Sequence, residues 1–320
     1  MFRTDFNHWL QSFESDVLTY FLTFISFLGN TYPLIIICIV FIAAINFRKG
    51  LIILNILSWT AILTVCLKTM IDYPRPLAVD PSLNGYGVEK TATDLTPLQP
   101  SGNFELFSAE LLKEIRSTDI GRFGLPSGHT SIQIALWIGM AVLFNRRWLW
   151  FLSISMVLLT AWSRMYLGLH YAGDILGGIF TGCFVLVLIY ALARKNHLLN
   201  ADLSISIKNL SFFLLPLFYL PVSYIGGEWQ AATLLGANVS VWWVSRGKPL
   251  PSLDESIKKR IISALALILV FLGSFLSARV LSSYLPKTGE ILLMAIAGYF
   301  AFWLYLRIAL TFRWIVYGRN

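Results

Sequence analysis

Residues 163–174 read Ser-Arg-Met-Tyr-Leu-Gly-Leu-His-Tyr-Ala-Gly-Asp and lie between two apolar runs. One run ends at Arg164, and the next opens with His170 and Asp174. Charges at the edge of the membrane hydrocarbon are costly and are usually kept for a function. The spacing of four between His170 and Asp174 predicts that they share one helical face, where the carboxylate accepts a hydrogen bond from the imidazole.

This pattern alone leaves several interpretations open. A histidine oriented in this way could attack a substrate, bind a metal, or be neutral and satisfied. The neighbouring Arg164 argues for an anionic partner, but a structural ion pair at the ends of two membrane helices fits equally well.

The composition indicates a polytopic membrane protein. Of the 320 residues, 57% are hydrophobic and 13% are charged, and the mean hydropathy of +0.68 exceeds what a soluble domain of this size sustains. Cys38, Cys66 and Cys183 all fall inside apolar runs, which predicts core packing and no thiolate metal site. The net charge of +8 comes from short basic clusters between apolar runs, so it indicates membrane orientation and no nucleic-acid partner.

The apolar runs predict an all-α bundle of about nine transmembrane helices. Residues 1–31 are expected to form an N-terminal amphipathic or interfacial segment. Residues 32–195 are expected to form a core bundle that includes a long loop at 69–125, and residues 196–320 further transmembrane helices of unknown role. The nine predicted spans are Tyr32–Phe47, Leu51–Leu67, Ser127–Phe144, Leu149–Trp162, Tyr171–Ala193, Leu210–Ile225, Trp229–Val244, Ile261–Ser283 and Ile291–Leu310.

Charge in the connecting segments predicts which side of the membrane each segment faces. Basic pairs such as Arg48-Lys49, Arg146-Arg147 and Arg194-Lys195 fall on one side, which is therefore expected to be cytoplasmic. The loop 69–125 carries more acidic than basic residues and falls on the other side.

Five polar positions then fall at the non-cytoplasmic ends of their spans. They are Lys68, Arg75, the stretch Pro126–His129, Arg164 and His170. Helix ends that are far apart in sequence are thereby predicted to meet in one layer and form one site.

Lys68 and Arg75 form the first supporting pattern. Pro74 ends a regular helix between them, which predicts Lys68 near a helix end and Arg75 on an extended segment. Two nearby cations repel each other unless an anion lies between them. Basic side chains that extend to the membrane surface would explain the same pair without any ligand.

Pro126-Ser127-Gly128-His129 forms the second supporting pattern, at the start of an apolar helix. A helix start presents unpaired N–H groups and the positive end of the helix dipole, which suits phosphate. A simple helix cap explains Ser127 but not His129. His8 and His197 lie in polar flanks and are expected to be ordinary surface residues.

These patterns together resemble the three-part signature of the type 2 phosphatidic acid phosphatase and vanadium haloperoxidase superfamily. Its parts correspond here to Lys68 with Arg75-Pro76, to Pro126–His129, and to Ser163-Arg164 with His170 and Asp174. The resemblance covers about residues 17–193, and the nine-span layout looks like the glucose-6-phosphatase branch.

The resemblance implies a metal-independent phosphatase without a cofactor. His170 would attack phosphorus to give a phosphohistidine, Asp174 would hold the ring, and His129 would serve as general acid and then general base. Phosphate-binding groups would be Lys68, Arg75, Ser127, Gly128 and Arg164, with the hydroxyl of Ser163 as a further candidate.

A site at the membrane interface favours a phosphorylated lipid as substrate, with vanadate and phosphate as expected inhibitors. Transfer of phosphate to another lipid and hydrolysis of a sugar phosphate remain alternatives. A soluble-type haloperoxidase and an anion transporter fit the pattern less well. The expected location is a bacterial inner membrane with the site facing the periplasm or exterior, or else the endoplasmic reticulum with the site facing the lumen; the sequence does not fix the oligomeric state.

The long loop contains one helical pattern. Phe104, Phe107, Leu111, Leu112 and Ile115 recur at helical spacing, which predicts a short amphipathic helix. Its apolar face could lie on the membrane beside the site entrance, or pack equally well against the rest of the loop.

Overall fold

The computed structural model describes residues 1–86, 94–102, 105–116, 123–225 and 228–317. Within this part the chain is predominantly helical, and its paired strands are the two-residue β1 and β2. The all-α class is therefore confirmed. The α-helices are α1 Asp5–Gln11, α2 Asp16–Leu28, α3 Thr31–Val40, α4 Phe47–Ile71, α5 Pro76–Val79, α6 Ala109–Arg116, α7 Gly128–Gln133, α8 Gly139–Phe144, α9 Arg147–Tyr166, α10 Ala172–Lys195, α11 Leu210–Phe213, α12 Glu228–Ser245, α13 Ile257–Ser282 and α14 Lys287–Thr311, and the strands are β1 Ser252–Leu253 and β2 Ile315–Val316.

The chain is an integral membrane protein, but nine separate spans are not confirmed. Among the described residues, five helices are long and apolar enough to cross a membrane, namely those that contain α4, α9, α10, α13 and α14. The run at 16–45 forms a pair of helices bent by 56°, which would count as a sixth span if it crosses as one unit. The runs at 128–144 and 207–220 are helical but shorter.

The chain divides into two compact units. The first contains residues 1–33 and 63–185, and the second contains residues 34–62 and 186–320. Every residue predicted for the functional site lies in the first unit.

In the first unit, α9 is the helix around which the N-terminal part of the chain packs. Both α1 and α2 lie against it, and α7 packs on it as well. Leu22 and Ile25 of α2 are buried, while Tyr20 and Phe24 of the same helix are exposed. This amphipathic division places α2 beside the protein with an apolar face left for lipid.

The amphipathic helix of the long loop forms as α6, at Ala109–Arg116. Leu111 and Ile115 are buried in a cluster with Tyr73, Val79 and Tyr171. The apolar face therefore packs against the protein, which is the second of the two alternatives that the sequence left open. Phe104, the first residue of the predicted pattern, lies outside the described residues.

The second unit is built on α12, α13 and α14, with α14 packed against both of the others. Asn55 of α4 and Asn238 of α12 exchange two amide hydrogen bonds of 3.1 and 2.8 Å in its interior. Mutual pairing satisfies polar groups that would be costly in an apolar bundle.

Candidate active site

His170 and Asp174 form a buried pair at the start of α10. His170 precedes the helix, so the expected shared helical face is wrong, yet Nδ1 of His170 lies 3.2 Å from Oδ2 of Asp174. The same Oδ2 accepts a 3.0 Å hydrogen bond from the N–H of Tyr171, which folds the chain back onto the helix. An ionised carboxylate only accepts, so the pair places the proton of His170 on Nδ1 and leaves the lone pair on Nε2.

Three cations surround this pair. Lys68 lies in the last turn of α4 and donates to the carbonyls of Phe123 and Gly124, the latter at 3.2 Å. Arg75 has the expected extended backbone, immediately before α5. Arg164 is buried in the last turn of α9. The charges of all three act on the rings of both His129 and His170, so all five side chains belong to one electrostatic cluster.

The two guanidinium groups retain unused donors. Within the described part of the chain, Nε of Arg75 and Nε of Arg164 are buried without a hydrogen-bond partner. Oδ1 of Asp174 is likewise buried and unpaired there. Buried donors that are left unpaired cost free energy, and a bound oxyanion would satisfy them.

Ser127 caps the helix that carries His129, as the sequence predicts. Its hydroxyl oxygen accepts from the N–H of Thr130, and α7 begins at Gly128. A Cβ on Gly128 would lie 3.6 Å from Cε of Lys68, so this helix start faces the Lys68 side chain. The first N–H groups of a helix have no partner inside it and can bind an anion.

Two of the predicted phosphate donors are already used. The N–H of Ser127 donates to the carbonyl oxygen of Asp174 at 2.9 Å, and the hydroxyl of Ser163 donates to the carbonyl of Leu22 at 2.6 Å. These bonds hold the backbone that carries the site, so in this arrangement neither group points its hydrogen at a ligand.

Helix α2 supplies contacts that sequence reasoning missed. Oγ of Ser26 accepts a 2.6 Å hydrogen bond from Nη1 of Arg164, and both residues are buried. Oδ1 of Asn30, just after α2, lies 3.1 Å from Nε2 of His129. The signal in the sequence was weak, because Ser26 and Asn30 are only two of several polar residues in this mostly apolar run, which also contains Thr19 and Thr23.

The N-terminal helix α1 supports the loop that carries His170. Nδ2 of Asn7 donates to the carbonyls of Met165 and His170, at 2.7 and 3.1 Å. Next to it, His8 is exposed, as predicted, but it lies 2.8 Å from the buried carboxylate of Asp80, a contact that the sequence did not indicate. His197 is exposed, as predicted.

Burial and charge together determine the protonation of His170. Burial, followed by the positive charges of Arg164, Lys68 and Arg75, lowers the pKa of His170 well below its usual value. The ring is therefore neutral at physiological pH. A neutral imidazole with one nitrogen held by a carboxylate is chemically suited to nucleophilic attack.

The fold and this cluster define a helical membrane protein with a buried, carboxylate-held histidine among three cations and a second histidine at a helix start. Residues 49–198 match the family model of the PAP2 superfamily. This segment therefore matches the type 2 phosphatidic acid phosphatase superfamily, and the match confirms the resemblance found in the sequence.

Individual relatives carry more specific names. Over 98 residues the chain is 37% identical to a lipid A 4'-phosphatase of Bacteroides thetaiotaomicron, which covers 31% of this chain and 43% of that protein. Over 82 residues it is 29% identical to an undecaprenyl-diphosphatase of Sulfolobus acidocaldarius, which covers 26% of this chain and 38% of that protein. The chain thus spans less than half the length of these curated relatives. A crystal structure of Aquifex aeolicus LpxE is similar over 60% of this chain and 96% of that chain, with a TM-score of 0.43 and 16% identity.

Proposed function

We propose that this protein is a membrane phosphatase that hydrolyses a phosphomonoester or diphosphate group of a lipid, with His170 as the nucleophile. The observation that supports this most directly is the buried pair of His170 and Asp174 within a cluster of three cations. A neutral nucleophile beside unpaired guanidinium donors suits an anionic, tetrahedral substrate.

The proposed reaction has two steps. In the first, Nε2 of His170 attacks the terminal phosphorus, the bond from that phosphorus to the leaving oxygen breaks, and His129 gives a proton to this oxygen. The leaving oxygen belongs to the lipid alcohol in a phosphomonoester and to the released lipid monophosphate in a diphosphate. In the second, His129 takes a proton from water, the water oxygen attacks phosphorus, and the bond between His170 and phosphorus breaks. Inorganic phosphate leaves, and both histidines return to their starting forms.

The remaining residues stabilise charge. Asp174 orients the ring of His170 and stabilises it while it carries positive charge. Lys68, Arg75 and Arg164 neutralise the phosphate oxygens, together with the N–H of Gly128 at the start of α7. None of these roles requires a metal ion or another cofactor.

The names of the relatives support a lipid substrate. Lipid A 4'-phosphate and undecaprenyl diphosphate are the substrate types named for the similar proteins, and both are lipids with an anionic head group. We propose a substrate of this kind, with its tail in the membrane and its phosphate at the helix ends. By the positive-inside rule the site faces the periplasm or exterior of a bacterial inner membrane, and the endoplasmic reticulum lumen is the alternative.

Phosphate release by the purified full-length protein tests the proposal. The substrates are lipid A, undecaprenyl diphosphate, phosphatidate, phosphatidylglycerol phosphate and glucose 6-phosphate, each assayed in detergent with EDTA. The expected result is release from at least one lipid, retention of that activity in EDTA, and its loss in His170→Ala. His197→Ala is the matched control, because His197 is exposed and outside the cluster.

Other results would redirect or overturn the proposal. Activity on glucose 6-phosphate alone would favour the sugar phosphatase, and label appearing on an acceptor lipid would favour a phosphotransferase. Lipid phosphatase activity that disappears with EDTA, or that survives in His170→Ala, would overturn the mechanism.

A further inference from the structure

The break between α2 and α3 lies against His129. Oδ1 of Asn30 is 3.1 Å from Nε2 of His129, and a Cβ on the preceding Gly29 would lie only 2.6 Å from Cδ2 of the same ring. The imidazole is therefore fixed on one edge by a hydrogen bond and confined by backbone beside it. This segment precedes residues 49–198, which match the family model.

The Asn30 contact determines which ring nitrogen is free. A carboxamide oxygen only accepts, so the bond requires a hydrogen on Nε2 of His129. The proton that moves during a reaction must then be exchanged at Nδ1. The same oxygen also stabilises the imidazolium form, in which both nitrogens carry a hydrogen.

The rest of α2 is held in place by the cluster. Ser26 binds Arg164, and the carbonyl of Leu22 accepts from Ser163. Asn30 follows directly on this anchored helix, so its side chain is presented to His129 from a fixed element. The hydrogen bond from His129 to Asn30 is therefore suited to fix the orientation of the imidazole ring.

We propose that Asn30 is a positioning residue for His129, holding the hydrogen on Nε2 so that Nδ1 exchanges the catalytic proton. This inference rests on the proposed function, because it assigns His129 the acid and base roles described there. In the first step the hydrogen on Nδ1 passes to the lipid oxygen. In the second step the lone pair of Nδ1 accepts a proton from water.

The need for an acid depends on the leaving group, which gives a specific test. An alkoxide must be protonated as it leaves, whereas 4-nitrophenolate is stable without a proton. The ratio kcat/KM reports the steps up to departure of this group, so it isolates the first proton transfer. Wild type, His170→Ala, Asn30→Leu and Asn30→Asp are assayed on the preferred lipid phosphomonoester, whose leaving group is an alkoxide, and on 4-nitrophenyl phosphate.

In Asn30→Leu, kcat/KM for the lipid phosphomonoester is expected to fall about 10- to 100-fold, less than the roughly 10²- to 10⁴-fold contribution of general acid catalysis, because His129 itself remains. For 4-nitrophenyl phosphate the fall is expected to be less than about 3-fold, because no acid is needed. Thr23→Leu is the matched control, since Thr23 is an exposed polar residue of α2 and its replacement should change neither value.

Asn30→Asp should restore most of the lipid activity, because it keeps the acceptor oxygen. Its negative charge favours the protonated form of His129, so the loss of kcat/KM at high pH should move to higher pH. If Asn30→Leu does not fold, the shift of the pH profile in Asn30→Asp is sufficient by itself to test the role of Asn30.

Equal losses on both substrates in Asn30→Leu, no loss on either, or an unshifted pH profile in Asn30→Asp would overturn the role of Asn30. Failure of the proposed function has a different signature, namely an inactive wild type or an active His170→Ala.

Discussion

The carbonyl oxygen of Asp174 accepts a hydrogen bond from the backbone N–H of Ser127 at 2.9 Å. This bond joins the start of α10 to the start of α7, and so joins the two segments that carry His170 and His129. One turn further along α10, a Cβ on Gly178 would lie 2.6 Å from the carbonyl oxygen of Ser127. The glycine thus permits the close approach of the two helices that the hydrogen bond requires.

Gly178→Ala should therefore destabilise the protein and reduce its phosphatase activity. The added methyl group meets backbone and not a flexible side chain, so we expect a loss of about 1–3 kcal/mol and a Tm lower by several degrees. Gly273→Ala is the control, because nothing lies within 4 Å of its Cβ position in α13, and alanine favours a helix. Thermal unfolding in detergent measures both, and equal Tm changes in the two variants would contradict this account.

Asp174→Asn should reduce turnover with little change in substrate binding. The amide keeps an oxygen for the N–H of Tyr171 but removes the charge that orients His170 and stabilises its cationic form. We expect kcat to fall by about 10²- to 10⁴-fold, as for carboxylates that orient a catalytic histidine elsewhere, and KM to change much less.

Steady-state kinetics in detergent test this prediction. Asp16→Asn is the control, because it removes an exposed carboxylate from the first turn of α2. An Asp174→Asn enzyme with unchanged kcat would show that the carboxylate does not orient the nucleophile.

The sequence was sufficient for the parts of the site that depend on helix ends. Proline before Arg75 predicted its extended backbone, and Ser127 before an apolar run predicted the cap of α7. Both signals are local, because a few residues determine the backbone geometry. The helical class likewise followed from the apolar runs, because their length and composition are local properties of the sequence.

Contacts between distant segments could not be predicted in this way. Nothing in the sequence near Ser26 indicates that its hydroxyl meets Arg164, which is 138 residues away, or that Asn30 meets His129. The burial of the α6 apolar face was equally undetermined, since an amphipathic pattern is satisfied by membrane or by protein. The pairing of the exposed His8 with Asp80 could not be predicted either, because Asp80 lies 72 residues further along the chain.

Ser26→Ala should weaken phosphate binding. Its hydroxyl fixes Nη1 of Arg164, and without it the guanidinium loses an orienting bond worth about 1–2 kcal/mol. The inhibition constants of phosphate and vanadate should therefore rise about 5- to 30-fold, and kcat should change less.

Ser12→Ala provides the comparison, because the Ser12 hydroxyl donates to the nearby carbonyl of Trp9 in an exposed turn, away from Arg164. Similar inhibition constants in wild type and Ser26→Ala would mean that Arg164 is oriented without the help of α2.

Asp80 anchors the N-terminal segment to the loop that follows α5. Its Oδ2 accepts from Oγ1 of Thr4 at 2.7 Å and lies 2.8 Å from Nε2 of His8. Burial alone would raise the pKa of Asp80, but hydrogen bonds from Ser82, Thr4 and His8 outweigh it and hold the pKa below its usual value. The carboxylate therefore stabilises the folded state at pH values above the unfolded pKa, which is about 3.9, and this contribution is lost as the pH falls through the lower folded pKa.

Asp80→Asn should accordingly destabilise the protein in a pH-dependent manner. At pH 7 we expect a lower Tm, from the loss of about 1–3 kcal/mol of hydrogen bonding to a charged group. Below the folded pKa of Asp80 the wild-type carboxyl is also neutral, so the two Tm values should converge. Thermal unfolding from neutral to strongly acidic pH measures this, with Asp16→Asn as the exposed control. A Tm difference that stays constant across that range would show that the charge of Asp80 contributes nothing to holding the N-terminal segment.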